Sequence, residues 1–392
     1  MPEKSGLRSY GVLLLILMPI LFPQNNARID ELLIMLRNAV ERFPVLHLSP
    51  VDRIVDSRNE YILNRLASGR YALKPNITRQ GILFRGDSRY HEVFRTKYGQ
   101  MEIIGHGQAV REKIIPVNVR RSDFEIAIES FPLYKMLKNG IVLPNGKKLV
   151  MENPFGLAYA YDQPTPFVGL TSDLDVAAFY AVTEYDAESG KYTPVTTGMG
   201  VIYAFELRMP FSMTIGLSSL GRLIFPRTLQ QKTFLLNINP EYNFNQMAVV
   251  NGFVFNHDAA LSRAIYKRFD GGEKLAPKED FLLKKILSFP KNVVSEQGFM
   301  RNLSENKGDS KMENKSVLNR VSIDIDRNFS PAFTYEELKD VYSNIASYWQ
   351  SMIDGVFVGG NHGAEIRKFL MNLPWNPDYA HYFDLNKYFD AR

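Results

Sequence analysis

The sequence predicts a mixed α/β fold of the α+β type, with helices towards both ends of the chain and strands in its middle. Two patterns support this: apolar residues recur at helical spacing near the ends, and short apolar runs rich in β-branched and aromatic residues fill the middle. The composition agrees, because 45% hydrophobic and 23% charged residues are typical of a folded globular protein. A chain of 392 residues is also long enough to bury a large core.

The first segment, residues 1–74, is predicted to be mostly helical. A second helix is predicted over residues 59–66, where Gly69 would end it. The first helix is indicated by apolar residues at helical spacing: Ile29, Leu32, Leu33, Leu36 and Val40.

An apolar run at residues 12–22 follows the basic residues Lys4 and Arg8, which resembles the start of a signal peptide. The run is shorter than the roughly 20 residues that cross a bilayer, so no transmembrane helix is predicted. No small-residue cleavage site follows it, and a buried strand explains it equally well. The chain is therefore predicted to be cytoplasmic, with export as the alternative if residues 1–22 act as a signal peptide.

The middle segment, residues 75–260, is predicted to form the main α/β domain. Helices are predicted at residues 124–137 and 173–181. Five apolar runs predict its strands: residues 81–84, 167–170, 201–205, 233–236 and 250–255.

Three further segments are predicted after this domain. Residues 261–294 continue as helix, and residues 295–329 are polar enough to predict a flexible linker. Residues 330–392 form a C-terminal helical region, because Thr334 can cap a helix in which apolar residues follow at helical spacing.

The composition also excludes several kinds of site. Cysteine is absent, which removes disulfides, thiolate nucleophiles and cysteine-ligated metals. The six histidines form no metal-binding spacing, so no metal site is predicted. The 47 basic and 42 acidic residues are interspersed, giving a net charge of +5 without a basic run, so there is no specific nucleic-acid signal.

Arg85 is the first candidate binding residue, since it ends an apolar strand and is followed by Gly86. Its planar guanidinium carries five donors and can bind a phosphate through two of them. Glycine at the next position allows a ligand or another backbone to approach closely. The plainer alternative is an internal ion pair at the strand end, with Asp87 as the partner.

Two further motifs lie downstream. Thr171 and Ser172 end a strand and precede a helix of small residues, where their hydroxyls can cap the helix. Gln230 and Gln231 stand at the entry to the strand at Thr233, where their amides can orient hydroxyl groups but cannot exchange a proton. Each motif taken alone is explained as well by ordinary structure, a strand–cap–helix unit and a polar loop.

Together and in this order, the three motifs resemble the landmarks of the FRG domain family, named for the Phe-Arg-Gly motif that stands here at residues 84–86. The resemblance covers roughly residues 75–260. The same landmarks are similar to the ADP-ribosyltransferase layout. That similarity implies a split, mostly antiparallel sheet with helical N- and C-terminal extensions.

The resemblance also implies a function, which is glycosyl transfer of ADP-ribose from NAD, or hydrolysis of NAD. NAD would be a substrate, and the resemblance implies no certain cofactor beside it. In this scheme Arg85 and Gly86 bind NAD, and the hydroxyls of Thr171 and Ser172 shape the pocket. Gln230 and Gln231 would lie near the nicotinamide ribose, as the candidate catalytic residues, with the acceptor unknown.

Departures from the two families' patterns support a second hypothesis. Residues 159–162 and Gly169 stand where the FRG family has a histidine and an aspartate, and Gln230 and Gln231 stand where ADP-ribosyltransferases have a glutamate. Glu206, on another predicted strand, is a possible substitute carboxylate. The second hypothesis is a non-catalytic module that binds a nucleotide or a peptide. A third is a scaffold that acts through its helical extensions.

Overall fold

The computed structural model of the chain describes most of the sequence, and the apolar run at residues 12–22 lies outside the described part. Helices and mostly antiparallel strands share the described part, which confirms the predicted mixed α/β class. The described ranges are residues 28–42, 61–65, 69–75, 81–97, 99–100, 108–150, 154–186, 189–207, 216–220, 225–239, 242–247, 249–306, 310–354 and 363–390.

Strands are distributed from residue 61 to residue 326, and helices extend to residue 390. The strands are β1 Tyr61–Arg65, β2 Tyr71–Pro75, β3 Ile82–Asp87, β4 Ile141–Val142, β5 Lys148–Leu149, β6 Phe167–Thr171, β7 Thr183–Asp186, β8 Lys191–Pro194, β9 Met199–Glu206, β10 Gly216–Ser219, β11 Thr233–Asn237, β12 Val250–Asn256, β13 Val293–Ser295 and β14 Asp324–Asp326. The α-helices are α1 Ile29–Arg42, α2 Gln108–Ser130, α3 Pro132–Asn139, α4 Pro154–Ala160, α5 Leu174–Ala181, α6 Pro226–Gln231, α7 Ala259–Arg268, α8 Phe281–Leu287, α9 Glu296–Glu305, α10 Lys311–Arg320, α11 Tyr335–Tyr342, α12 Ile345–Asp354, α13 Gly363–Met371, α14 Pro377–Phe383 and α15 Leu385–Asp390.

The central sheet has six strands in the order β10-β11-β6-β3-β9-β12, and each neighbouring pair is antiparallel. Most pairs are in register over several residues, for example β3 with β9 from Ile82 opposite Glu206 to Asp87 opposite Val201. In contrast, the described strands β3 and β6 are in register only where Phe84 lies opposite Thr171. The sheet therefore opens between β3 and β6.

Both faces of this sheet are buried, which is why its strands are nearly continuous apolar runs. On one face, α1 and α5 pack over Phe84, Ile202 and Phe253. On the other face, a second cluster includes Leu83 and Phe205. These two residues directly precede Phe84 and follow Ala204, which belong to the first cluster, and successive side chains of a strand point to opposite faces. The alternation of side chains along each strand thus divides the core into two layers.

A third apolar cluster joins α2 and α3 to the C-terminal helices. Trp349 of α12 is buried there, and its indole nitrogen donates a hydrogen bond to the carbonyl of Leu370 at 2.7 Å. A buried indole N–H needs such a partner, because leaving it unpaired would cost the full desolvation of that group. None of the helices in the described ranges is long and apolar enough to cross a membrane.

The predicted second helix at residues 59–66 is wrong, since residues 61–65 form β1. This strand pairs antiparallel with β2 along its whole length, from Tyr61 opposite Pro75 to Arg65 opposite Tyr71. Helix propensity is a weak local preference that strand pairing overrides. The prediction for residues 1–74 therefore contains too much helix.

The predicted flexible linker at residues 295–329 is also wrong, since this segment contains α9, α10 and β14. Ser295 caps α9, and Asn302 and Asn314 are buried. These polar side chains are used for capping and for contacts inside the fold. A cluster with α2 buries Phe299, Val317 and Leu318. The polar composition suggested disorder because sequence alone does not show which polar groups are satisfied internally.

The predicted helix at residues 124–137 is two helices, the end of α2 and most of α3. They are separated at Phe131, and Pro132 occupies the first turn of α3, where its missing N–H is not needed.

Candidate functional site

A cleft of about 800 Å³ is lined by residues of both β3 and β6, the two strands between which the sheet opens. Four of the sequence-predicted site residues line it: Arg85, Gly86, Thr171 and Gln231. The other two, Ser172 and Gln230, are not among its described lining residues, and the Gln230 side chain is exposed. The structure thus brings residues of all three motifs to one cleft, although two of the six proposed residues are not among its described lining.

The Arg85 guanidinium is held from two sides. Its Nε and Nη2 donate to the two oxygens of Asp87 at 2.8 and 2.7 Å, which is the internal ion pair offered as the plainer alternative. Its Nη1 donates to the Tyr159 hydroxyl at 3.0 Å and to the Gly169 carbonyl at 3.2 Å. These bonds use four of the five N–H groups of the guanidinium.

The surroundings of Arg85 keep it charged. Burial lowers the pKa of Arg85, but the Asp87 carboxylate and the Tyr159 hydroxyl outweigh burial and raise that pKa above its ordinary value. The guanidinium also lies over the Phe94 ring, 4.7 Å from the ring centroid, within range of a cation–π interaction. Arg85 is therefore a fixed, oriented cation at the edge of the cleft.

Two glycines make this arrangement possible. A Cβ on Gly86 would lie 1.8 Å from the carbonyl oxygen of Ala177, so glycine lets α5 pack directly against β3. A Cβ on Gly169 would lie 2.2 Å from the Tyr159 hydroxyl, so glycine leaves room for the tyrosine that contacts Arg85. Gly86 thus admits another backbone, one of the two close approaches that the sequence suggested, and it also lines the cleft.

Thr171 and Gln231 touch across the sheet. The Thr171 hydroxyl donates to the Gln231 carbonyl at 2.9 Å and accepts from the Asp173 backbone N–H at 3.1 Å. The Gln231 side-chain amide donates to the carbonyl of Leu275 at 3.3 Å. Gln231 therefore borders the cleft with one of its two amide N–H groups committed to the fold.

Arg227 is the site residue that sequence reasoning overlooked, although it lies in the third motif. Its side chain is 1% exposed and lines the cleft. It donates to Asp162 at 3.0 Å, to the Ala160 carbonyl at 3.2 Å and to the Tyr185 hydroxyl at 3.2 Å. Burial lowers the pKa of Arg227, but the Asp162 carboxylate outweighs burial and raises it. The available signal was an arginine that opens the polar stretch before the strand at Thr233.

The cleft has an excess of positive charge and one aromatic wall. Five basic side chains and three carboxylates line it, so an anionic ligand is favoured electrostatically. The basic residues are Arg85, Arg89, Arg95, Lys97 and Arg227, the carboxylates are Asp87, Asp162 and Glu184, and the tyrosines are Tyr159, Tyr180, Tyr185 and Tyr192. Tyr185 and Tyr192 have ring centroids 4.8 Å apart and ring planes tilted by 44°, so they pack against each other and each offers its own face to the cleft.

Glu206 does not serve as the substitute carboxylate. It lies on β9 opposite Ile82, whereas Arg85 lies opposite Tyr203, and it is not among the described residues that line the cleft. Its carboxylate is buried and accepts a hydrogen bond from Asn251 at 3.1 Å. Within the described ranges, no three His, Asp or Glu side chains group closely enough to hold a metal ion.

Comparisons of this chain with family models, with curated proteins and with solved structures found no match. The fold and the cleft therefore define the protein's class on their own. It is a mixed α/β protein whose antiparallel central sheet opens into a basic cleft with a tyrosine wall.

Proposed function

We propose that this chain contains an FRG-type domain with an ADP-ribosyltransferase-like sheet, and that its cleft binds NAD and breaks the bond between ADP-ribose and nicotinamide. The observation that carries the proposal is the meeting of Arg85 and Thr171 on either side of the opening between β3 and β6. These are the first two of the three motifs that resemble the family landmarks.

The chemistry of the cleft supports a nucleotide ligand. A volume of about 800 Å³ is within the usual range for small-molecule sites. The excess of basic side chains suits the negative charge of the pyrophosphate. The tyrosines offer flat apolar surfaces with polar tips, which suits a base and its ribose.

In the proposed reaction, the bond between the ribose carbon and the nicotinamide nitrogen breaks, and its electron pair leaves with nicotinamide. Positive charge develops on the ribose, and a carboxylate or the dipoles of the cleft stabilise it. The oxygen of water, or of an acceptor hydroxyl, then bonds to the ribose carbon and gives up its proton. Arg85, fixed by Asp87 and Tyr159, would hold the pyrophosphate in place during these steps.

A second candidate function is nucleotide binding without turnover. It is favoured by the third motif, where Gln231 binds Leu275 through its amide and neither Gln230 nor Gln231 supplies a carboxylate. The two functions share Arg85, so only a measurement of turnover separates them.

The experiment measures NAD affinity by calorimetry and release of free nicotinamide, for the wild type, Arg85→Ala and Arg85→Lys. We expect the wild type to bind NAD and release nicotinamide, and we expect Arg85→Ala to bind at least about 10-fold more weakly, because a charge-assisted hydrogen bond is worth about 1.5–3 kcal/mol. Arg85→Lys keeps the charge but loses the planar guanidinium that Asp87 and Tyr159 hold in place, so its affinity should fall between the two.

Arg327→Ala is the matched control, because the Arg327 side chain is 82% exposed and does not line the cleft. Far-UV circular dichroism checks that each variant is folded. Saturable binding without nicotinamide release would select the second function. A wild type that neither binds nor consumes NAD would end the proposal.

A further inference from the structure

A second cavity of about 510 Å³ adjoins the cleft. Three residues line both spaces: Ser88, Arg89 and Glu184. Arg89 and Glu184 form an ion pair, with Nε and Oε1 2.6 Å apart, at this shared boundary. Arg89 follows β3 by two residues, and Glu184 is the second residue of β7.

We infer that Glu184 is the carboxylate that acts in the cleft, and that the second cavity admits a neutral, hydroxyl-bearing acceptor to it. This inference rests on the proposed function. It assigns the reacting carboxylate to a residue far in sequence from the third motif, where Gln230 and Gln231 stand.

The other two carboxylates that line the cleft are committed to buried or half-buried cations. Both oxygens of Asp87 accept from Arg85. Asp162 neutralises Arg227, whose guanidinium is almost fully buried. Taking a proton at either carboxylate would leave a cation without its partner inside the protein, which is costly.

Glu184 has a different partner. The side chains of Arg89 and Glu184 are 69% and 40% exposed, so water can replace either partner and the pair contributes little to stability. A phosphate entering the cleft would compete with Glu184 for Arg89, because Arg89 lines the cleft as well. Binding of the substrate anion would then release the Glu184 carboxylate beside the ribose.

The second cavity suits a neutral acceptor. Its lining has hydroxyl groups and apolar surface, and Arg89 and Glu184 are the two charged residues among those described. The hydroxyl residues are Ser88, Tyr90, Thr193 and Thr197, and the apolar ones are Pro194, Val195 and Met199.

An acceptor hydroxyl reaching the boundary would attack the ribose carbon as nicotinamide leaves. A new carbon–oxygen bond forms, the carbon–nitrogen bond breaks, and Glu184 takes the hydroxyl proton. Water entering by the same route would give hydrolysis.

The first test compares Glu184→Gln with Glu336→Gln, whose parent side chain is 79% exposed on α11 and lies outside both cavities. We expect Glu184→Gln to lower kcat for nicotinamide release about 100-fold or more, as for loss of a general base, with the dissociation constant of NAD within about 3-fold of the wild type. Glu336→Gln should match the wild type in both.

An unchanged kcat in Glu184→Gln overturns the inference while leaving the proposed function in place. An equal loss of affinity and kcat also overturns it, since Glu184 would then be a binding residue. A wild type that binds NAD but releases no nicotinamide is a different outcome, which removes the proposed reaction itself.

The second test uses glycerol as the probe acceptor. The wild type should convert NAD to an ADP-ribosyl glycerol as well as to ADP-ribose. Thr197→Trp, at an exposed position between β8 and β9, should fill part of the second cavity and lower the glycerol fraction. Nicotinamide release without glycerol trapping by the wild type, or an unchanged fraction in Thr197→Trp, would show that the acceptor enters elsewhere.

Discussion

Arg85 and Asp87, two residues apart on one strand, form a doubly hydrogen-bonded ion pair at the edge of the cleft. Both side chains are about one-fifth exposed, so the pair is partly removed from water. Residues two apart on a strand lie on the same face, which brings the two groups together without any other element. The pair fixes the direction of the guanidinium before any ligand arrives.

A double-mutant cycle on this pair should give a coupling free energy of about 1–3 kcal/mol, measured by urea unfolding of Arg85→Ala, Asp87→Ala and the double variant. The matched control is Arg28 with Asp30, which has the same spacing and two hydrogen bonds of 3.2 Å but is exposed. Its coupling should stay below about 0.5 kcal/mol. Equal couplings in the two cycles would show that partial burial adds nothing to the Arg85–Asp87 pair.

Arg227→Met should destabilise the fold by about 3–5 kcal/mol in urea unfolding, because it leaves a buried carboxylate without its nearest cation. That carboxylate is Asp280, which is fully buried with an oxygen 4.0 Å from the Arg227 Nε. Arg227→Lys keeps the positive charge but loses the planar guanidinium, so it should lower the free energy of unfolding by less than Arg227→Met does. The control is Arg327→Met, which removes an exposed ion pair and should leave the free energy of unfolding within about 0.5 kcal/mol of the wild type. An equally small change in Arg227→Met would contradict the structural role given to Arg227.

Gly86→Ala should be the most destabilising of three glycine substitutions. Its Cβ would meet the backbone of α5 at 1.8 Å, which cannot be relieved by a side-chain movement, so a cost of at least about 3 kcal/mol is expected. Gly169→Ala would displace the Tyr159 ring and should cost about 1–3 kcal/mol, with weaker NAD binding through Arg85.

Gly252→Ala, where the nearest atom is a ring carbon of Tyr203 at 3.2 Å, should cost less than about 1 kcal/mol. The measurement is again the free energy of unfolding in urea. Any other order of the three costs would contradict the packing of α5 and Tyr159 described above.

Ionisation of the buried Asp123 carboxyl should lower the free energy of unfolding as pH rises from about 4 to about 6. Burial raises the pKa of Asp123 from 3.8 to about 6, against the hydrogen bonds from Ser295 and the charge of Arg120. A carboxyl with a raised pKa binds its proton more tightly in the folded state, so its contribution is complete below pH 4 and is lost as pH rises through its folded pKa. The loss is about 3 kcal/mol, since raising a pKa by one is equivalent to about 1.4 kcal/mol of free energy.

Asp123→Asn should lack this slope when unfolding free energies are measured between pH 4 and 7. Burial also raises the pKa of Glu125 to about 6, but that residue is present in both proteins, so the difference between them isolates Asp123. Parallel pH profiles would mean that the Asp123 carboxyl is not protonated preferentially in the fold.

Local patterns predicted the elements that build the central sheet. The runs at residues 167–170, 201–205, 233–236 and 250–255 lie in strands, and the run at residues 81–84 does so from Ile82 onwards. A strand buried on both faces needs a continuous apolar stretch whatever its neighbours are. The helix predicted at residues 59–66 was wrong, because pairing of β1 with β2 overrides helix propensity. The linker predicted at residues 295–329 was wrong, because polar residues of α9 and α10 serve as caps and as buried contacts.

By itself, the sequence determined the mixed α/β class, the absence of cysteine chemistry, and the placing of a guanidinium two residues before a carboxylate on one strand. These are properties of composition and of neighbours within a few residues, where backbone periodicity fixes geometry. Only the tertiary structure decided that Tyr159 holds Arg85 across 74 positions, that the Gln231 amide turns to Leu275, and that Glu184 stands between two cavities. Such contacts join segments far apart in the chain, and the packing that selects them leaves no periodic signal in the sequence.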